Sequence, residues 1–114
     1  MLSKARIAVF VSGGGTNLEA LLKAQESGAI PHGENVLVCA SNESAYALTR
    51  AANHGVPAVA VPRKQMSQEA FERTLSLKLA EYRVDLIVLA GFLSILSADF
   101  VARWPERIFN VHPS

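Results

Sequence analysis

The sequence lacks several features that would assign it to a specialised class of protein. It contains one cysteine, Cys39, so it has no intramolecular disulfide framework, and a reducing, cytoplasmic location is expected. Charged residues make up 18% of the chain, and the net charge of +1 comes with no basic stripe of the kind that binds nucleic acid. The apolar run near the N-terminus is about five residues long, too short for a signal peptide or a membrane span. We therefore expect a globular protein that binds neither nucleic acid nor membranes.

The N-terminal stretch predicts a binding site for an anion. Residues 7–11 are a short, continuous apolar run, which is typical of a strand buried on both faces. The three glycines at positions 13–15 allow a tight turn, and Thr16 or Asn17 is expected to cap the helix that follows. Backbone N–H groups and the positive end of the helix dipole would then point at one place, which suits a phosphate. A glycine turn without any ligand is the simpler alternative.

This loop matches neither of two common nucleotide-binding motifs in full. A Walker A loop requires a lysine after its glycines, and no lysine follows them here. The dinucleotide fingerprint G-x-G-x-x-G matches Gly13 and Gly15 but finds Leu18 in place of the third glycine. Glu43 follows the next predicted strand, but two glycines and one acid are weak evidence. The loop favours a phosphate monoester over a dinucleotide.

Predicted strands and helices alternate along the chain. We predict strands at residues 7–11, 35–40, 56–61, 86–90 and from 108, and helices from the glycine turn to about 27, at 45–53, 67–82 and 98–103. This alternation predicts an α/β fold with a Rossmann-like parallel sheet in the strand order 3-2-1-4-5. The order reverses between strands 1 and 4, which places the ligand crevice at their carboxyl ends.

Two side chains of the last predicted strand are candidates for catalysis. Asn110 and His112 are two residues apart, so a strand would place both on the same face. An amide donor suits a developing oxyanion, and an imidazole can move a proton near neutral pH. Apart from Ser114, no serine or cysteine nucleophile is adjacent, which favours direct transfer to an amine over a covalent acyl-enzyme. A structural role for both side chains fits the pattern equally well.

Five short motifs, in this order along the chain, resemble the phosphoribosylglycinamide formyltransferase family of purine synthesis. They are SGGGTNL at 12–18, SN at 41–42, LAGF at 89–92, ILS at 95–97 and NVHPS at 110–114. The last motif is shared with the wider formyltransferase group, so it indicates the chemistry. The glycine loop is more particular to this family, so it indicates the substrate.

The resemblance implies direct transfer of a formyl group from 10-formyltetrahydrofolate to the amine of phosphoribosylglycinamide, without a metal. Gly15, Thr16 and Asn17 would bind the substrate phosphate. Asn110 would stabilise the oxyanion, and His112 would transfer the proton and stabilise charge. The formyl folate would contact Gln68, Leu93, Ser94, Ile95, Leu96 and Asn110. Both partners are small molecules, and a homo-oligomer is compatible with the sequence.

The sequence departs from the family on the folate side of the proposed site. The family usually has arginine where Ser94 stands, and it often has arginine where Gln68 aligns. Both differences remove charge there, while contacts through the backbone would remain. Arg63 or Lys64 can supply a replacement charge.

The sequence ends at Ser114, inside the last motif, whereas family members continue and carry a later aspartate beside the catalytic histidine. We therefore expect residues 1–114 to be the N-terminal part of a formyltransferase domain, with its C-terminal part absent. On this interpretation the phosphate site is mostly formed and catalysis is weak or nil.

Other functions share parts of this pattern. Formyltetrahydrofolate deformylase has the same C-terminal motif, but it needs no phosphate-binding glycine loop. A non-catalytic module that binds phosphate or a nucleotide would not depend on His112. An NAD-binding domain is the least favoured, because Leu18 replaces the third glycine of its fingerprint.

Overall fold

The computed structural model describes residues 4–29 and 31–111, which form alternating strands and helices. The elements are β1 (Ala5–Val11), α1 (Thr16–Glu26), β2 (Gly33–Ala40), α2 (Ala47–Asn53), β3 (Ala58–Ala60), α3 (Gln68–Glu81), β4 (Leu86–Ala90), α4 (Ala98–Ala102) and β5 (Ile108–Val111). The five strands are parallel and lie in the order β3-β2-β1-β4-β5. This confirms the predicted α/β fold and its strand order.

Hydrophobic side chains on both faces of the sheet form the core. Along β1, Ala8 and Phe10 point to the face covered by α3 and α4, while Val9 and Val11 point to the face covered by α1 and α2. Successive residues of a strand point to opposite faces, so a continuous apolar run is what a sheet covered on both sides requires. All four side chains are completely buried.

The carboxyl ends of the strands meet at one edge of the sheet. Val11 of β1 is level with Ala40 of β2, and Leu89 of β4 is level with Asn110 of β5. The loops after β1, β2 and β4 therefore leave the sheet side by side. The strand order reverses between β1 and β4, and parallel sheets bind ligands at such a position.

Two helices begin differently from the predictions. Gly15, with φ 80° and ψ 31°, occupies the N-cap of α1, so the prediction that Thr16 or Asn17 caps this helix is wrong. Both are the first residues of the helix itself. The predicted start of α2 at residue 45 is also wrong, because its N-cap is Tyr46 and no side chain caps it. Ser67 does cap α3, accepting a hydrogen bond from the Ala70 N–H at 3.1 Å.

Strand β3 is shorter than the predicted 56–61. The Val56 N–H bonds to the Ala51 carbonyl at 2.9 Å, so this residue still belongs to the turn that ends α2. β3 lies at the edge of the sheet and pairs with β2. Within residues 4–29 and 31–111, no helix is both long and apolar enough to cross a membrane.

Candidate functional site

The glycine loop and the N-terminus of α1 form the first part of the site. The Glu19 N–H bonds to the Gly15 carbonyl at 2.8 Å, which starts the helical hydrogen-bond ladder. The backbone N–H groups before it have no partner inside the helix and carry the positive end of its dipole. Gly13, Gly14 and Thr16 are exposed, and Asn17 is half-buried, so a ligand in solvent can reach this helix end.

Gly15 is required in this loop for two reasons. Its φ of 80° lies in the left-handed region that only glycine adopts without strain. A Cβ added there would also lie 2.8 Å from the Ala47 Cβ and 3.1 Å from its Cα. The loop therefore packs directly against the first residue of α2.

Ser12 joins the three loops at the carboxyl edge of the sheet. Its hydroxyl accepts a hydrogen bond from the Leu93 N–H at 2.8 Å and lies 2.8 Å from the Ser41 hydroxyl. Its carbonyl accepts a hydrogen bond from the side chain of Asn42, and its N–H reaches the Gly91 carbonyl at 3.3 Å. The glycine loop is thus tied to the loop after β2 and to the loop after β4.

The second part of the site is a groove of about 490 Å³ beside the loop that follows β4. It is lined by Arg63, Lys64, Gln68, Leu93, Ile95 and Ser97. Leu93 and Ile95 are 86% and 78% exposed, whereas Phe92 and Leu96 pack against the core, and Ser94 is half-buried. The loop therefore anchors itself with alternate side chains and presents the others to solvent.

A polar network fixes the side of this groove formed by α3. The Gln68 amide donates to the Ile95 carbonyl at 2.8 Å and to Glu72 at 2.7 Å, and its oxygen accepts from Arg63 Nε at 2.9 Å. Glu72 also accepts the Ser97 N–H and hydroxyl, both at 2.6 Å. Partial burial works to raise the pKa of Glu72, but the hydrogen bonds from Ser97 and Gln68 outweigh it and lower that pKa. Glu72 is therefore an ionised carboxylate, and its hydrogen bonds fix Gln68 and Ser97 at the side of the groove.

Of the two predicted catalytic residues, Asn110 lies in the described part of the chain and His112 lies outside it. Asn110 is exposed on β5 and level with Leu89, whose side chain packs on the face covered by α3 and α4. This is the face on which Gln68 and the Leu93 loop also lie. Asn110 therefore shares a sheet face with the groove, while the glycine loop packs against α2 on the opposite face.

A charged cluster beside the glycine loop was missed by the sequence analysis. Arg50 of α2 donates to the Gly14 carbonyl at 2.7 Å and to Glu19 of α1 at 3.2 Å. His54 bonds to Glu26 and, at 2.6 Å, to Glu19. Hydrogen bonding to Glu26 and then to Glu19 raises the pKa of His54, and the bond from His54 lowers the pKa of Glu19. The partners are 28 to 36 residues apart in sequence, so no local motif reveals them.

No metal centre is present among the described residues, since none of their histidine, cysteine, aspartate and glutamate side chains form a group of three or more that could hold an ion. Cys39 of β2 is 1% exposed, and burial raises the pKa of its thiol to about 12. A buried thiol with a raised pKa stays protonated, so Cys39 is an inert strand thiol.

Comparison with known proteins places the chain in one family. Residues 5–114 match the formyl transferase family. The chain is 41% identical over 113 residues to the trifunctional purine biosynthetic protein adenosine-3 of Drosophila melanogaster, covering 97% of this chain and 8% of that protein. Glycinamide ribonucleotide transformylase 1 of Symbiobacterium toebii has 37% identity and a TM-score of 0.89, covering 96% of this chain and 52% of that one. The phosphoribosylglycinamide formyltransferase of Coxiella burnetii has 36% identity and a TM-score of 0.90, with 97% and 52% covered.

A formyltetrahydrofolate deformylase of Pseudomonas putida is a more distant neighbour. It shares the fold with a TM-score of 0.86, but its sequence is 22% identical. The comparisons therefore favour the transformylase over the deformylase. The chain spans about half the length of the solved transformylases that it matches, and less than a tenth of the trifunctional insect protein.

Proposed function

The chain belongs to the formyl transferase family, and from this premise we propose that residues 1–114 are the N-terminal part of a phosphoribosylglycinamide formyltransferase domain. Its reaction is the transfer of a formyl group from 10-formyltetrahydrofolate to the amine of phosphoribosylglycinamide, a step of purine biosynthesis. Both substrates are small molecules. We place the reaction in the reducing cytoplasm, consistent with a single, buried thiol at Cys39.

The phosphate of the ribonucleotide is proposed to bind Gly15, Thr16 and Asn17. The support for this assignment is the left-handed Gly15 at the N-cap of α1, which leaves the first N–H groups of the helix free for an anion. Thr16 is exposed and Asn17 half-buried, so both can add side-chain hydrogen bonds. The helix dipole favours the negative charge at the same place.

The formyl folate is proposed to bind the groove beside the Leu93–Leu96 loop. The groove volume of about 490 Å³ lies in the range usual for small-molecule sites. The exposed Leu93 and Ile95 offer apolar walls to a flat ring system, and backbone groups of the loop offer hydrogen bonds. Gln68, Ser94, Leu96 and Asn110 complete the proposed contacts.

Gln68 restricts which groups of the loop can bind the folate. Its amide already occupies the Ile95 carbonyl at 2.8 Å. The backbone groups of Ser94 and Leu96 are therefore the better candidates for folate contacts. Arg63 bonds to Gln68 and lies over the Phe71 ring at 5.7 Å, which brings a positive charge to the groove where the family's arginine is missing.

The proposed chemistry is a direct transfer. The amine nitrogen of the ribonucleotide attacks the formyl carbon, and the formyl oxygen takes negative charge in a tetrahedral intermediate. The bond between that carbon and the folate nitrogen then breaks, and the proton lost by the amine ends on the folate nitrogen. Asn110 donates to the oxyanion, and His112 carries the proton and stabilises the charge.

One observation supports this proposal most strongly: Ser12 connects the glycine loop, the proposed phosphate site, to the Leu93 loop, the proposed folate site. Its hydroxyl bonds to the Leu93 N–H at 2.8 Å, and its own chain continues directly into the glycine loop. A phosphate bound at Gly15 and a folate bound at Leu93 would thus be fixed relative to each other across the β1–β4 junction. Direct transfer of a group between two bound substrates is faster when the substrates are held in a fixed relative position.

The test is formyl transfer from 10-formyltetrahydrofolate, with and without phosphoribosylglycinamide. We expect any transfer to require the acceptor and to fall roughly 100-fold or more in Asn110→Ala, as loss of an oxyanion donor does. His112→Ala is expected to abolish it. Asn53→Ala serves as a matched control, because Asn53 is an exposed asparagine at the far end of α2.

The other functions give different results in the same assay. Formate release without the acceptor would favour a deformylase and overturn the proposed transfer. Binding of the ribonucleotide without turnover, and without any binding of the formyl folate, would indicate a phosphate-binding module.

A further inference from the structure

We propose that Arg50 is a positioning residue for the phosphate loop: it holds the Gly14 carbonyl and so turns the Gly15 N–H toward the bound phosphate. This inference rests on the proposed phosphate site at Gly15. It adds a residue that neither the motif nor the helix N-terminus indicates, since Arg50 lies on α2, 36 residues from its partner in the loop.

Two consecutive carbonyls of the loop are bonded to α2. The Ala47 N–H reaches the Gly13 carbonyl at 3.4 Å, and Arg50 Nε donates to the Gly14 carbonyl at 2.7 Å. The second contact is the shorter one, and it comes from a charged donor, which makes it the stronger of the two. The loop thus presents both carbonyl oxygens to α2.

The geometry of the peptide bond gives the direction of the N–H groups. In a trans peptide the C=O and the following N–H point in opposite directions, and the described residues contain no cis peptide bond. Since the carbonyls of Gly13 and Gly14 face α2, the N–H groups of Gly14 and Gly15 face away from it. Successive N–H groups on one side of a loop form a concavity that binds anions.

The guanidinium of Arg50 is itself held in place from two further directions. Its Nη1 bonds to Glu19 at 3.2 Å, and its central carbon lies 5.0 Å from the centre of the Tyr46 ring. His54 bonds to the other carboxylate oxygen of Glu19 at 2.6 Å. Because Nε and Nη1 are both engaged, Arg50 acts through the direction of its hydrogen bonds and not as a free positive charge.

This arrangement requires arginine rather than any cation. The planar guanidinium places two donors at fixed angles, so one side chain can bond a carbonyl and a carboxylate at once. A lysine ammonium keeps the positive charge but has no planar group that holds two donors at fixed angles. Arg50→Lys therefore separates the effect of hydrogen-bond direction from the effect of charge.

The experiment measures binding of phosphoribosylglycinamide to the 114-residue chain by calorimetry, in wild type, Arg50→Lys and Arg50→Met. In parallel, NMR follows the Gly14 and Gly15 amide resonances during titration with inorganic phosphate. Arg73→Met is the matched control. Arg73 also forms an ion pair with a glutamate, Glu69, but it lies on α3 and its side chain is 67% exposed. Circular dichroism verifies that each variant is folded.

We expect both Arg50 variants to bind the ribonucleotide about tenfold more weakly, the loss typical of one charge-assisted hydrogen bond. The phosphate-induced shift of the Gly15 amide should shrink in both, and Arg73→Met should match wild type. A merely structural role for Arg50 would lower the melting temperature without changing the Gly15 response.

Two outcomes would overturn the inference while leaving the phosphate site intact: binding within twofold of wild type in both variants, or full recovery of binding in Arg50→Lys. If Arg50→Met does not fold, Arg50→Lys decides alone, since it keeps the charge and the long stem. Absence of binding by wild type would instead overturn the proposed phosphate site itself, and the inference with it.

Discussion

Replacing Gly15 by alanine should destabilise the protein, because a Cβ at this position would collide with helix α2. The left-handed backbone costs a residue with a Cβ about 1–2 kcal/mol. The new methyl group would lie 2.8 Å from the Ala47 Cβ and 3.1 Å from its Cα, so helix α2 has to move. Such overpacking costs a further 1–3 kcal/mol or so.

We therefore expect Gly15→Ala to lower the free energy of unfolding by about 3 kcal/mol and the melting temperature on the order of 10 °C. Urea and thermal unfolding, followed by circular dichroism, measure both quantities. The loss is smaller than the total stability of a typical domain, about 5–15 kcal/mol, so the variant remains folded enough to study.

Gly14→Ala is the control, because an added Cβ there meets no atom within 4 Å. Its φ also lies outside the left-handed region. We expect its stability to stay within about 0.5 kcal/mol of wild type. Equal stability of the two variants would refute the conclusion that Gly15 is required by backbone conformation and by contact with α2.

Three further predictions concern other parts of the structure. Ser12→Ala removes the acceptor of the Leu93 N–H and should cost about 1 kcal/mol, with faster hydrogen exchange of that amide; unchanged exchange would contradict the role of Ser12 as the connection between the loops. Hydrogen bonds to Glu26 and Glu19 raise the pKa of His54 above its ordinary 6.5, so its stabilising contribution is full below pH 6.5 and is lost as the pH rises through the folded pKa. The difference in urea midpoint between wild type and His54→Gln should accordingly shrink as the pH rises above 6.5, and a difference that grew would be inconsistent with this pairing. Cys39, buried and with its pKa raised to about 12, should react with a disulfide reagent only when urea unfolds the chain, which absorbance of the released thiol measures.

The fold was largely predictable because its signals are local. A buried strand is a short apolar run, as at residues 7–11, and the helices of α/β units carry an apolar stripe such as Phe71, Leu75 and Leu79. The right-handed crossovers restrict the order of the strands to a few possibilities. The wrong predictions concern the ends of helices and strands, which depend on contacts between elements distant in sequence. Gly15, for example, is the N-cap of α1 in a loop that packs against Ala47.

The site was predictable only as far as its motifs extend. The glycine loop and the loop at residues 93–96 can be read from the sequence, because each follows directly on a strand. The connections between them cannot, since Ser12 and Leu93 are 81 residues apart and Arg50 and Gly14 are 36 apart. Such contacts depend on the strand order and on the distance between α1 and α2.

His54 illustrates the same limit. It follows the last residue of α2, where the helix dipole favours a cation, and this position indicates a structural role. The structure adds two carboxylates from α1, Glu19 and Glu26, which the sequence separates from it by 35 and 28 residues. A structural role is consistent with this pairing, but the partners depend on the packing of α1 against α2.

Calorimetry on the wild-type chain can compare two ligands: phosphoribosylglycinamide and the same glycinamide riboside without its phosphate. We predict that the phosphate strengthens binding by roughly 100-fold, the contribution of two charge-assisted hydrogen bonds, and that the Gly14 and Gly15 amide resonances shift only with the phosphorylated ligand. Equal affinity for the two ligands, or amide shifts confined to residues outside the glycine loop, would contradict it.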